Sequence, residues 1–477
     1  MEKNIRRLGF AVIGLFILLA VYLGYINIFM APSLASDPYN KRLNAMEEQI
    51  PRGAIYDRQG KPLAVSENGR RKYPLGSSAA HVVGFLSERY GRTGVERAYN
   101  AYLLGMSEEE QMKSLVDRML GRKPIGNDVY LTLDAGLQSL ASELLEGKKG
   151  AIAAVDPRNG DILALASSPT YDPGTLEDKA GHSDTGAVIT NFDTLTQDSD
   201  SPLLNRAGQG AYPPGSIFKL VTAAGILKHN PGAVDQSIHC TGSIVVDGFK
   251  LPDIAAHGSV DLNKAIAVSC NSFFATAGLD LGAEGLIEMV QNFGITANPW
   301  KGKIQETALR PGTLTTAAEM TEAQLASTSI GQGELLVSPL HMALVAAAVA
   351  NEGKIMQPHL MQAVKTPVNG EVIVEYQPEI WRNPISARAA KVLNDAMAGT
   401  VAWGTGTRAG IPGISVAGKT GSAQNPQGRA HAWFVGFAPA EEPRIAVAVV
   451  IENGGAGGTA SAPLAREIMK RALSDIQ

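Results

Sequence analysis

The sequence predicts an α+β fold in which helices cover an antiparallel sheet. Three observations carry this. Residues 150–167 (GAIAAVDPRNGDILALAS) read as a hairpin, two apolar strands joined by Pro157, Arg158, Asn159 and Gly160. Helical patterns fill the middle of the chain. Three more strand candidates, SVAGKTGSAQ, HAWFVGFAP and RIAVAVVIEN, then follow in succession. A hairpin, a run of helices and three late strands do not form the βαβ alternation of a parallel sheet.

The chain begins with Lys3, Arg6 and Arg7, followed by an uncharged stretch over residues 8–30. As a helix that stretch spans about 34 Å, enough for a hydrocarbon core of about 30 Å. A cleaved signal peptide, with small residues near Ser33 to Ser36, is the competing reading. Its apolar region would be shorter, about 7–15 residues. An uncleaved anchor is therefore expected. The positive charges before it place residues 1–7 in the cytoplasm and the rest of the chain outside, where ATP and NAD are not supplied.

Residues 31–147 are polar and mixed, the expected N-terminal pedestal. Within them PRGAIYDRQGKPLA reads as a hairpin turning at Arg58, Gln59 and Gly60. GRTGVERAYNAYLLG reads as a turn and an amphipathic helix with Val95, Ala98, Tyr102 and Leu103 on one stripe. Arg52, Asp57, Arg58, Gly94 and Glu96 could bind a ligand; the plainer reading is internal ion pairs and turns. NDVYLTLD is a strand leading into a helix over 135–145. The remainder, 148–477, opens with the hairpin. A polar loop is expected over 171–201, a strand near 243–246, and a helical segment from Leu262 interrupted by VSCNSFFATAG. A helix is framed by Ser338, Pro339 and Gly353, and a last one covers about 461–473.

Composition excludes several functions. A net charge of −4 with 18% charged residues gives no support for nucleic-acid binding. Two cysteines, Cys240 and Cys270, cannot make a disulfide-dense scaffold, and their pairing is left open. The eight histidines show no metal-ligand spacing, so neither metal nor cofactor is expected.

Three short patterns carry the chemistry. AYPPGSIFKL (211–220) places Ser216 and Lys219 three residues apart after two prolines and a glycine. A helix starting at Pro214 would put both on one face, one turn apart. Ser269-Cys270-Asn271 and Lys419-Thr420-Gly421 follow at separations of 53 and 150 residues. Each alone is weak. Together, in this order, they are the signature of serine β-lactamases and penicillin-binding proteins.

On these motifs the chain resembles a class B penicillin-binding protein, a peptidoglycan D,D-transpeptidase, over essentially its whole length. RGAIYDRQGKPLA resembles that class's RGxxxDRxGxxLA element, and GRTGVERAYNAYLLG its GxxGxE…Y…L.G element. GTGTRAGIPGISVAGKTGSAQ is similar to the approach to its third motif. Ser422 stands where threonine is usual, and Cys270 fills the variable position of the second motif. Neither departure removes a catalytic group.

The chemistry can be read beside the resemblance. Ser216 needs a base to attack an amide at neutral pH. Lys219 serves only when neutral, so its pKa must fall from about 10.4 towards roughly 7. Burial and a neighbouring cation, Lys419, supply such shifts. Lys419 would also attract a substrate carboxylate. Ser269 can relay a proton to the leaving amine, and Asn271 can hold a substrate peptide group. The free N–H of Ser216 is one oxyanion donor, and the resemblance implies the N–H of Ser422 as the second. Thr420, Gly421 and Ser422 are the substrate and β-lactam contacts it implies. D-Ala-D-Ala stem peptides with an amine acceptor, β-lactams and a membrane glycosyltransferase are the implied partners. A D,D-carboxypeptidase is the runner-up; a β-lactamase, a β-lactam sensor or a purely structural member of a wall-synthesis complex stands behind it. GISVAGKT (413–420) also matches a phosphate loop, but the GSAQNPQG after it cannot open a helix.

Overall fold

Five antiparallel strands form the sheet of the C-terminal half, in the spatial order Ala417–Ala423, His431–Ala438, Ile445–Ile451, Gly150–Val155 and Ile162–Ser168. The computed structural model describes every residue except 1, 27–29, 31–49, 108, 110–124, 183–187, 302, 427 and 475–477. Apart from His431 at one end, the inner strands are buried at every position, side chains of both faces included. This explains their continuous apolar runs: an antiparallel sheet with one wet face would alternate instead. The helix Pro339–Ala350, buried along nearly its whole length, belongs to the larger core on one face. Helices Ala135–Leu144 and Ala462–Ser474 pack in the core on the other.

A six-stranded sheet forms the second body. Its order is Val372–Glu375, Met361–Lys365, Asp128–Leu131, Ile55–Tyr56, Pro62–Glu67 and Arg70–Lys72, with only Ile55–Tyr56 and Asp128–Leu131 parallel. Two of its strands thus come from beyond residue 360, which no local pattern announces. The amphipathic helix expected within 91–105 is two short ones, Gly94–Ala98 and Asn100–Leu103. The segment 171–201, expected as a loop, carries strands Lys179–His182 and Val188–Thr190 and the helix Asn191–Gln197. Thr190 and Asp193 cap that helix reciprocally, so polar residues build structure here through hydrogen bonds.

At the N-terminus, the helix Glu2–Tyr25 contains a 20-residue apolar stretch, Arg6–Tyr25, long and apolar enough to cross a membrane. Its apolar side chains are exposed, Phe10 and Leu15 each at 74%. The expected span ran to residue 30; residues 27–29 and the Ser33 to Ser36 stretch lie outside the described residues.

Of the charged residues singled out near residue 52, Arg52, Asp57 and Glu96 are engaged internally, while Arg58 is exposed. Glu96 is fully buried and accepts two hydrogen bonds from Arg52, at 2.7 and 2.9 Å, and one from Arg71 at 2.6 Å. The two guanidiniums hold its carboxyl below the ordinary value against the cost of burial. Asp57 accepts from the backbone N–H groups of Gln59, Lys61 and Ala135 and so closes its turn onto the helix behind it. Removing one partner of a buried ion pair strands the other charges. Glu96→Ala is therefore expected to lower unfolding free energy by about 3–5 kcal/mol in urea titrations; an unchanged midpoint would contradict the pairing.

Candidate active site

Ser216 sits in a 3-10 turn, Gly215–Phe218, which runs into the α-helix Lys219–His229. An α-helix from Pro214 was expected. The tighter turn has three residues per turn, so positions i and i+3 eclipse, and Ser216 and Lys219 are so spaced. Gly215 has φ +56°. A Cβ there would lie 2.9 Å from the Ala423 nitrogen and 3.0 Å from the Ser422 carbonyl oxygen. Glycine therefore allows the serine turn to rest against the strand Ala417–Ala423. The same closeness accounts for Gly421, whose added Cβ would stand 3.0 Å from the Pro214 oxygen and 3.1 Å from Ile217. Packing against the serine turn is thus a structural reason for glycine there.

The second motif is a junction between two helices. Leu262–Val268 starts on Asp261, which accepts from the Lys264 N–H, and stops at Ser269. Ser269 is left-handed (φ 61°, ψ 42°), a conformation a non-glycine residue holds only where its surroundings fix it. Cys270 caps the next helix, Asn271–Asn292, its Sγ accepting from the Phe273 N–H. Asp253 secures that helix start by accepting from the N–H groups of Asn271 and Ser272 and from the Ser272 hydroxyl.

Around this junction the two lysines converge. Lys219 Nζ donates to the Ser269 carbonyl at 2.8 Å, to Asn271 Oδ1 at 2.6 Å and to Ser269 Oγ at 3.3 Å. Lys419 Nζ reaches the same Ser269 Oγ at 2.9 Å and the Thr420 carbonyl at 2.9 Å. Both lysines are fully buried. Burial lowers Lys219 to about 7; the neighbouring Cys270 and Asp253 oppose the shift. Burial first, and repulsion from Lys219 second, drive Lys419 well below its ordinary value. Desolvation is thus the main cause at both amines, ahead of the cation pairing the sequence suggested.

Ser216, Ser269, Asn271, Thr420, Gly421 and Ser422 all line one cleft of about 1250 Å³. The eight site residues read from the sequence therefore meet in one place. Three others there were not foreseen. Thr405 Oγ1 lies 2.6 Å from Thr420 Oγ1. Gln332 bridges the strand edge, donating to the Ser422 carbonyl and accepting from the Gln424 N–H, both at 3.3 Å. Asp253 is the third. Thr405 lies in the stretch approaching the third motif, whereas no spacing links Gln332 or Asp253, which stands behind the cleft, to a motif. The phosphate-loop pattern ends inside the strand Ala417–Ala423, with Lys419 turned to Ser269.

The expectation that no metal site exists rested on spacing, and the fold assembles donors that spacing conceals. Cys240, Asp253, His257 and Cys270 each bring one ligand atom within 4.8 Å of the others. Both cysteines are free and buried.

Comparison with known proteins gives a consistent picture. A family model for the penicillin binding protein transpeptidase domain matches residues 150–470, and one for the penicillin binding protein A dimerisation domain matches residues 52–129. The chain is 34% identical to the peptidoglycan D,D-transpeptidase PbpA of Mycolicibacterium smegmatis, across 100% of both chains. It is 32% identical to the peptidoglycan D,D-transpeptidase MrdA of Acinetobacter baumannii, over 88% of this chain and 68% of that one. The structure of penicillin-binding protein A from Mycobacterium tuberculosis, a ceftriaxone acyl-enzyme complex, superposes with a TM-score of 0.80 at 32% identity, covering 90% of this chain and 100% of that one.

A base that must be neutral gives a signed pH dependence. With Lys219 near 7, the rate of Ser216 acylation by a penicillin should rise with pH through that value and level off above it. Lys219→Arg keeps a charge that cannot be removed, and should slow acylation by about 10²–10⁴-fold. A flat profile in stopped-flow acylation, or an active arginine variant, would contradict the role.

Proposed function

Because the chain belongs to the penicillin-binding protein transpeptidase family, we propose that it is a peptidoglycan D,D-transpeptidase working through an acyl-enzyme on Ser216. The observation that carries the assignment of roles is the Ser269 hydroxyl held between Lys219 and Lys419, on the cleft that Ser216 lines.

Neutral Lys219 takes the Ser216 proton as Oγ attacks the carbonyl of the penultimate D-Ala. The N–H groups of Ser216 and Ser422 receive the oxyanion. Lys419, with Thr420, meets the terminal carboxylate. An anion arriving beside Lys419 favours its charged form, and that charge in turn favours neutral Lys219. Substrate binding thus sorts the two amines into a clamp and a base. The proton passes through Ser269 to the leaving amine, the C–N bond breaks and D-Ala departs. An amine of a neighbouring stem then attacks the ester, and Ser216 recovers its proton. Asn271 is pinned by Lys219 and by the Pro252 carbonyl, which its amide reaches at 2.6 Å, and from there holds the donor peptide. β-Lactams enter the first half of this cycle as acylating mimics.

In this reading residues 8–30 anchor the chain with residues 1–7 in the cytoplasm. Residues 31–147 form a pedestal and 148–477 the transpeptidase unit outside. A membrane glycosyltransferase supplies the glycan strands whose stems are joined.

Two measurements test the proposal. A fluorescent penicillin should label the wild type covalently, and Ser216→Ala should abolish labelling while keeping the folded circular-dichroism spectrum; a labelled mutant would refute the nucleophile. Given a D-Ala-D-Ala stem and an amine acceptor, the enzyme should form the cross-linked product. Release of D-Ala to water alone would show a carboxypeptidase.

A further inference from the structure

We propose that Thr405 is a positioning residue for recognition of the substrate carboxylate, acting through the Thr420 hydroxyl. The inference rests on the reading that Lys419 and Thr420 meet the terminal carboxylate.

Thr405 stands where the second and third motifs come together. Its backbone N–H donates to the Ala267 carbonyl at 3.1 Å, and Ala267 belongs to the helix Leu262–Val268 that stops at Ser269. On its other side the backbone of Gly458 presses close. A Cβ added to Gly458 would lie 2.4 Å from the Thr405 carbonyl oxygen and 3.7 Å from Thr420 Cγ2. Held between these two backbones, Thr405 sets its Oγ1 2.6 Å from Thr420 Oγ1, and both threonines line the cleft.

A bond between two hydroxyls uses one hydrogen and leaves the other to be placed. Two arrangements exist. In the first, Thr405 donates to Thr420, and the Thr420 hydrogen is free to face the cleft. In the second, Thr420 donates to Thr405, whose own hydrogen must then go to the Ala267 carbonyl, 3.4 Å from its Oγ1. That contact is long beside the roughly 2.7–2.8 Å usual for O–H···O. The same carbonyl already accepts the Thr405 N–H. Thr420 Oγ1 has no other hydrogen-bond partner among the described residues.

A carboxylate accepts hydrogen bonds and donates none. Arriving beside Lys419, it takes a hydrogen from Thr420 and is repelled by bare lone pairs, so it selects the first arrangement. Thr405 then donates to Thr420 and Thr420 to the carboxylate, each bond polarising the next. Thr405 touches the substrate's anion only through its neighbour.

Stopped-flow acylation of the full-length protein by penicillin G, and by its methyl ester without the free carboxylate, tests this. Thr405→Val keeps the shape and the backbone N–H and removes the hydroxyl. It should slow acylation by penicillin G about 10-fold or more and that by the ester less than about 3-fold, because the lost interaction is a hydrogen bond serving a charged group. Thr405→Ser, which restores a hydroxyl donor, should recover the penicillin G rate to within about 3-fold of wild type. In a Thr420→Val background Thr405→Val should cost little more, as residues acting in series require. A purely structural role predicts the opposite: equal slowing of acid and ester, and full additivity with Thr420→Val. Either result would overturn the inference, as would an unchanged rate in Thr405→Val. Thr405→Ala carries the same comparison if the valine variant does not fold. A wild type that penicillin G does not acylate would overturn the assignment of activity and this inference with it. A wild type acylated on Ser216, with a variant that slows both ligands alike, would overturn the positioning role alone.

Discussion

Two amines buried around one hydroxyl are the constraint on which the site depends. Lys219 and Lys419 both point at Ser269 Oγ and neither reaches solvent. Like charges a few ångströms apart repel by roughly 3 kcal/mol at an effective dielectric constant of about 20, and burial adds to the cost of each. The site therefore favours states in which at least one amine is neutral. A neutral amine beside a serine turn is a base, and a charged one beside a strand edge is an anion receptor. The same penalty that makes the pair costly to fold makes both roles available at neutral pH.

That arrangement needs tight backbone approach on three sides. Gly215 and Gly421 bring the serine turn and the lysine strand together at distances where a Cβ would crowd the facing atoms. The helix break at Ser269 exposes one hydroxyl and one carbonyl to Lys219 at the same time. Behind it, the start of the Asn271 helix is held by Asp253. The sheet supplies the rigid base, since every residue of the strand Ala417–Ala423 but Ser422 is buried and its lysine has little freedom to move.

The parts legible in the sequence were those with local periodicity or motif spacing. The hairpin at 150–168, the three late strands and the helix at Pro339–Ala350 follow from apolar runs and stop signals. The proposed catalytic set followed from order and spacing. What escaped depends on contacts distant in sequence. Met361–Lys365 pairs with Asp128–Leu131, and nothing in either strand names the other. Asn191–Gln197 is the local exception, a polar helix held by the Thr190–Asp193 cap three residues apart. Cys240, Asp253 and His257 are spread over a connection with no metal-ligand spacing, and only folding brings them to Cys270. The 3-10 start of the serine turn was missed because proline and glycine signal where a helix begins, and leave its pitch to tertiary packing.

The most direct test of the account is where the acyl group lands. The wild-type protein would be reacted with penicillin G, digested and mapped by tandem mass spectrometry. The account predicts a single penicilloyl adduct, on Ser216. An adduct on any other residue, Ser269 or Ser422 included, or none at all in folded protein, would contradict it.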